Sequence, residues 1–116
     1  MKSRTSVKLT GARLAEVLAY INDHLDQSTT VKDLARISNL LPTQFGRSFR
    51  DATGMSPQRW QMDARIRSAQ RLMVDDPTES LAAIAALVGF SDASYFSRAF
   101  LEIVGTTPSA WLRQRI

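Results

Sequence analysis

The chain carries the same pattern twice, and that repetition limits its possible folds more than any other feature. Phe45, Arg47, Phe49, Gly54, Pro57 and Trp60 return as Phe96, Arg98, Phe100, Gly105, Pro108 and Trp111, each 51 positions on (45 to 96, 60 to 111). Upstream, Val31, Leu34, Ala35 and Ile37 return as Leu81, Ile84, Ala85 and Leu87 at a spacing of 50 (31 to 81, 37 to 87). The copies therefore differ by one residue of length, somewhere between Ile37/Leu87 and Phe45/Phe96. Similarity at a fixed period marks one supersecondary unit built twice. Here the unit reads as short helix, tight turn, longer helix, the layout of a helix-turn-helix.

Local signals predict seven helices and no strand, because no stretch alternates with period two for long enough. From Thr10 to about Asp26, Leu14, Val17, Leu18, Ile21 and Leu25 recur at helical spacing as one buried stripe. Ser28-Thr29-Thr30 caps a short helix from Val31 to Ser38, with Asp33 favourable in its first turn. Asn39 suits a left-handed turn. Pro42 opens the next helix, which turns Phe45, Phe49 and Ala52 inward and stops at Gly54. Ser56-Pro57 starts a long helix to about Val74, which spans roughly 26 Å at ~1.5 Å per residue, and Asp76-Pro77 ends it. In the second copy Ser80 caps Leu81–Val88, Gly89 makes the turn, and Ser91 caps a helix through Val104. Gly105 terminates that helix and Thr107-Pro108 starts a last one through Arg115. The expected fold is all-α: a flexible lead-in over 1–9, a helix-turn-helix subdomain over 10–56, a linker helix over 57–76 and a second helix-turn-helix subdomain over 77–116.

Composition narrows the function classes. Each repeat is near the lower size limit for a self-sufficient core. Fifteen Lys/Arg against eleven Asp/Glu give a formal charge of +4 and a pI near 10.1, which favours polyanions without requiring them. Placement says more, since Arg47, Arg50, Arg59, Arg65, Arg67 and Arg71 crowd into one stretch while acids sit near predicted helix ends. The absence of cysteine removes disulfides and thiolate metal sites and fits a reducing cytosol. His24, the only histidine, has no partner at metal-ligand spacing. No apolar run approaches the roughly 18 residues of a membrane span, and Met-Lys-Ser-Arg-Thr-Ser lacks the apolar stretch of a signal peptide. No nucleophile, paired acid or metal cluster stands out, so neither an enzyme nor a cofactor is expected. Asp75-Asp76-Pro77 reads as surface loop, and Trp60 and Trp111 as packing anchors.

On a helical wheel of about 100° per residue, Phe45 and Phe49 share a side while Thr43, Arg47 and Arg50 face the opposite way, with Gly46 and Asp51 flanking. The copy turns Phe96, Phe100 and Ile103 inward, with Ser94, Arg98 and Leu101 outward and Ser97 beside them. Each helix thus buries an aromatic pair and presents small groups around one arginine. A helix entering a major groove about 12 Å wide needs that slender face, and its arginine can bond a guanine edge bidentately.

The second copy, Ile84-Ala85-x-x-Val88-Gly89-Phe90-Ser91-Asp92-x-Ser94-Tyr95-Phe96-Ser97-Arg98-x-Phe100 followed by Gly105 and Thr107-Pro108, resembles the AraC/XylS family of bacterial transcription regulators. The linker stretch Arg65-Ile66-Arg67-x-Ala69-x-Arg71-Leu72-Met73 matches the same family, and the likeness runs over about residues 11 to 115. It implies two helix-turn-helix subdomains on a long helix, reading successive major-groove segments of double-stranded DNA. It implies base readers at Thr43, Gln44, Gly46 and Arg47 in the first copy and at Ala93, Ser94, Ser97 and Arg98 in the second. Lys32, Arg36, Arg50, Arg59 and Arg65 are the candidate phosphate contacts. RNA polymerase is a further candidate partner and a membrane is not, and the expected location is the cytoplasm, at the nucleoid. The chain reads as a monomer, with dimerisation left to the sensing domain that the family commonly attaches. It is either a stand-alone regulator or the excised C-terminal part of a longer one, and the irregular lead-in through Leu9 leans towards excision.

The departures from the family pattern fall mostly in the first copy. Leu41 stands where a serine or threonine cap is usual, which typically costs ~1 kcal/mol, and Asn39-Leu40 replaces a glycine turn. Gly46 inside a helix costs about another 1 kcal/mol relative to alanine. In the second copy Leu101-Glu102 occupies positions that are often polar or basic. These departures suggest that the first unit dominates phosphate attraction, while the second acts through Arg98 and its helix N-terminus. They also leave a rival reading, a helical protein-interaction module that has lost DNA recognition.

Overall fold

A computed structural model describes residues 9–115 and is all-helical over them. The helices are α1 (Gly11–Asp23), α2 (Val31–Ser38), α3 (Pro42–Thr53), α4 (Pro57–Asp75), α5 (Leu81–Leu87), α6 (Ala93–Val104) and α7 (Pro108–Arg113). Of the expected lead-in, residues 1–8 lie outside the described residues, and the Leu9 N–H donates to Ser48 Oγ at 3.1 Å. The chain divides into two compact units, one of residues up to His24 with Ser28–Gln61, the other of Leu25–Gln27 with the chain from Met62 onward. The first turn of α4 falls in the first unit and the rest in the second.

In the first unit α1 packs on α2 and α2 on α3. Thr10 caps α1, its side chain accepting from the Arg13 N–H, and Val17 and Ile21 supply the buried stripe. The helix stops at Asp23, short of the expected Asp26, because His24 closes it: the Nδ1–H donates to Tyr20 O at 2.8 Å and the ring stacks on Tyr20. Thr30 and Asp33 form a reciprocal capping box at the start of α2. Donation from the Thr30 backbone and hydroxyl holds the Asp33 carboxyl below its usual pKa. Phe45 and Phe49 are fully buried, and Trp60 meets Phe49 edge-on at 5.9 Å between centroids. Ala52, expected inward, is exposed, its single methyl near the end of α3 falling short of the core that Phe45 and Phe49 reach.

The second unit has its core between α4, α5, α6 and α7, where Ile66, Ala69, Met73, Ile84, Phe96, Phe100 and Trp111 are buried together. Four aromatic rings run in sequence with edge contacts, Phe90 on Phe96, Phe96 on Phe100 and Phe100 on Trp111. Such contacts add about 0.5–1.5 kcal/mol each beyond burial. Both tryptophans are therefore packing anchors. Helix α7 ends at Arg113, two residues before the expected Arg115.

The turns show where the length difference lies. The Leu40 N–H bonds Ala35 O at 3.0 Å and the Phe90 N–H bonds Ala85 O at 2.9 Å, while Asn39 and Gly89 bond Arg36 O and Ala86 O, each at 3.2 Å. The two turns are thus the same C-terminal motif, with Asn39 (φ 60) and Gly89 (φ 99) in left-handed conformation. After them only Leu41 precedes α3, whereas Ser91 and Asp92 precede α6. Ser91 is the additional residue. That is why it does not cap α6 as expected: Asp92 adjoins the helix, and its Oδ1 accepts from the Tyr95 N–H at 2.7 Å. Helix α5 ends at Leu87, one residue before the expected Val88, which serves as its C-cap.

Glycine is required at 89 for two reasons. Its φ is positive, and a Cβ there would collide with Leu25 O and lie 2.9 Å from Arg65 Nε. Gly54 (φ 84) has the same conformational need but open space around it. Gly54→Ala should cost about 1–2 kcal/mol for the left-handed backbone alone, and Gly89→Ala clearly more. Urea denaturation of both variants checks this, and equal losses would mean that the crowding at Gly89 relaxes without cost.

Candidate nucleic-acid interface

In the first unit the outward face of α3 is built as its sequence requires. Thr43, Arg47 and Arg50 are exposed, opposite the buried Phe45 and Phe49. Nothing lies within 4 Å of where a Gly46 side chain would begin, so glycine there leaves free space on the outer surface. Gly46, Arg47 and Arg50 line an open recess of about 430 Å³ with Val31, Ser56, Pro57 and Gln58. The start of α4 therefore flanks the arginines, capped by Ser56, whose Oγ accepts from the Arg59 N–H at 3.2 Å. Sequence periodicity did not single out Gln58 for this surface, because its neighbours there come from another helix. Gln44, a proposed base reader, is half-buried, and its Oε1 accepts from the Leu41 N–H at 3.0 Å. Half of a capping box survives in this way, although Leu41 itself offers no acceptor and is 64% exposed.

In the second unit Ser94 and Arg98 are exposed on α6, while Ala93 and Ser97 are half-buried beside them. The Arg98 guanidinium lies 6.0 Å from the Tyr95 ring centroid, and Leu101 extends the same outer face at 48% exposure. The two helices differ most at their N-termini. No side chain caps α3, so its first turn keeps N–H groups and a positive dipole end open to an anion. The Asp92 carboxylate occupies that position on α6 and opposes a phosphate there. The sequence had assigned an attracting role to the α6 N-terminus, and an anionic cap works against it.

Among the candidate phosphate contacts, Lys32, Arg50 and Arg59 are exposed. Arg36 pairs with Asp33 at 3.8 Å, its side chain 77% exposed, an arrangement that holds it weakly. Arg65 is differently placed. Within the second unit its Nε donates to Leu25 O at 2.8 Å and its Nη2 to Gln27 O at 2.9 Å. Partial burial lowers its pKa from the usual arginine value, without approaching neutrality at ordinary pH. Its guanidinium ties a loop to α4, where an exposed phosphate contact had been expected. No described helix is long and apolar enough to cross a membrane, and among the described residues no group of three His, Cys, Asp or Glu could hold a metal ion.

Comparison with known proteins bears on this surface. The family described as a helix-turn-helix domain matches residues 34–114. The DNA-binding domain of AdpA, a global transcriptional factor solved in complex with a target DNA, is 30% identical, with a TM-score of 0.80 over 88% of this chain and 91% of that one. The chain belongs to the AraC/XylS family of helix-turn-helix domains. The arabinose operon regulatory protein of Escherichia coli is 35% identical over 98 residues, 84% of this chain and 33% of that protein. The MmsAB operon regulatory protein of Pseudomonas aeruginosa is 34% identical over 98 residues, again 84% of this chain and 31% of its own length. The chain thus spans about a third of the length of these curated relatives.

The distinction between Arg65 and its neighbours is measurable in the protein alone. Arg65→Ala strands two carbonyls that it now bonds, and should lower stability by about 1–3 kcal/mol. Arg50→Ala, on the exposed face, should stay within about 0.5 kcal/mol of the parent. Thermal denaturation of the pair checks the assignment, and an Arg65→Ala melt as high as the parent's would restore Arg65 to the exposed set.

Proposed function

We propose that this chain is the sequence-specific, double-stranded DNA-binding part of a bacterial transcription regulator, one recognition helix per unit entering successive major-groove segments. The observation that carries the reading is the pair of slender helices, α3 and α6, each with a buried aromatic pair behind and an exposed arginine among small residues in front. Family membership and a relative solved on its target DNA support it. Thr43, Gln44, Gly46 and Arg47 read bases from α3, and Ala93, Ser94, Ser97 and Arg98 from α6. Lys32, Arg36, Arg50 and Arg59 take phosphates, and Gln58 joins them at the α3 recess. The working division is a reading subdomain over 10–56, a linker over 57–76 and a second reading subdomain over 77–116. No chemistry beyond binding is assigned. RNA polymerase, dimerisation through a further domain, and a place at the nucleoid in the cytoplasm belong to the proposal for the whole regulator.

Selection of bound duplexes from a random pool tests the reading. A bipartite motif with halves about 10 bp apart is expected. A pool without enrichment would favour the rival protein-interaction module, to which the exposed Leu41 and Leu101 lend some weight. Leu101 also suits DNA, since an apolar side chain can meet a thymine methyl.

Two quantities refine the test. With four cationic phosphate contacts, the logarithm of affinity should fall against log salt with a slope of about −3 to −4, and a flat response would count against the proposal. Arg47→Ala and Arg98→Ala should each cost about 1–3 kcal/mol of specific binding. The loss should be larger at Arg47, whose helix has the uncapped N-terminus, and a larger loss at Arg98 would reverse the asymmetry. Asp92→Asn keeps a competent cap while removing the opposing charge, and should tighten non-specific DNA binding a few-fold in filter-binding titrations at low salt.

A further inference from the structure

The second unit has another basic surface that the proposed DNA contacts do not use. Arg67, Arg71 and Arg115 line an open groove of about 470 Å³ together with Val74, Asp75 and Trp111. The α4 core stripe runs through Met62, Ile66, Ala69 and Met73. At about 100° per residue, Val74, Arg67 and Arg71 fall on the outward side of α4, roughly 110° to 170° round from the middle of that stripe, and Arg65, turned towards Gly89 and Leu25, falls about 70° round in the other direction. Trp111 packs against Phe100 on the inward side of α6, roughly opposite Arg98 on the same helix. The groove therefore opens behind the core, away from the face that carries Ser94 and Arg98.

Its chemistry is specific. Arg67 and Arg71 are exposed, and neither has an ion pair among the described residues, while Arg115 lies over the Trp111 ring at 4.7 Å from the centroid. Val74 is 45% exposed between them, an apolar side chain left in a basic setting. Asp75 is the one acid on the lining, so three positive charges face one negative. Guanidinium groups pair carboxylates bidentately, and Val74, beside the small part of the otherwise buried Trp111 indole that reaches the groove, takes an apolar side chain.

We infer that this groove is a docking site for an acidic protein segment, one with Asp or Glu on both sides of a Leu or Phe anchor. Carboxylates meet Arg67, Arg71 and Arg115, and the anchor lies on Val74, next to the edge of the Trp111 indole. The site does not depend on the DNA-binding proposal.

A peptide of about twelve residues, with Leu and Phe flanked by Asp and Glu, is titrated into the isotope-labelled chain while the two indole N–H resonances are followed. The Trp111 signal should move and the Trp60 signal stay. Arg67→Glu with Arg71→Glu should weaken the peptide at least tenfold, and a peptide with serine in place of Leu and Phe should lose the Trp111 shift. The affinity of the double variant for duplex DNA is measured in parallel and should change less than twofold. No Trp111 shift at millimolar peptide, equal shifts at both indoles, an unaffected double variant or a serine peptide that binds as well would each overturn the inference. So would a loss of DNA affinity matching the loss of peptide affinity, which would make the face a phosphate contact. Failure of the unaltered chain to bind any DNA would sink only the DNA proposal.

Discussion

Everything on the outer faces of α3 and α6 depends on what is packed behind them. A helix-turn-helix this small cannot bury much surface, so each copy concentrates its core in one aromatic pair, Phe45 with Phe49 and Phe96 with Phe100, all four rings fully buried. Trp60 and Trp111 close the two pairs from the next helix in the same edge-on manner. With stability placed on the inner side, the outer side is free to be small and polar: glycine at 46, serine at 94 and 97, with Arg47 and Arg50 on α3 and Arg98 on α6. The aromatic spacing and the slender face are two sides of one requirement.

Much of this was legible in the sequence, because duplication lets each copy vouch for the other. Seven helices, their order, the left-handed Asn39 and the glycine C-caps at 54 and 105 follow from periodicity and local turn chemistry. The errors are local and have identifiable causes. Two adjacent cap-forming residues, Ser91 and Asp92, cannot be ordered until the turn bonds show which of them is the extra one. Ala52 satisfied the wheel, yet a methyl near the end of α3 is too short to reach the core that the two phenyl rings enter, and it stays exposed.

The proposed interface was legible only in part. A wheel reports which residues share a face of one helix, and so it gives the exposure of Thr43, Arg47, Ser94 and Arg98. It cannot report which residues of a second element line the same recess, as Gln58 does beside α3. Nor can it tell a solvated arginine from one bonded to distant carbonyls, separated in sequence by 40 and 38 residues in the case of Arg65. The Asp92 cap is a third case: good local helix chemistry and good phosphate attraction make opposite demands on one position.

The knot of Leu25, Arg65 and Gly89 has a consequence for how the chain comes into being. Leu25–Gln27 sits in sequence amid residues of the first unit yet belongs to the second. A nascent polypeptide leaving the ribosome would carry those carbonyls, solvated, until Arg65 had emerged, and the place kept open by Gly89 would be reached later still. Synthesis order and assembly order thus diverge, and no single cut of the backbone separates the halves cleanly.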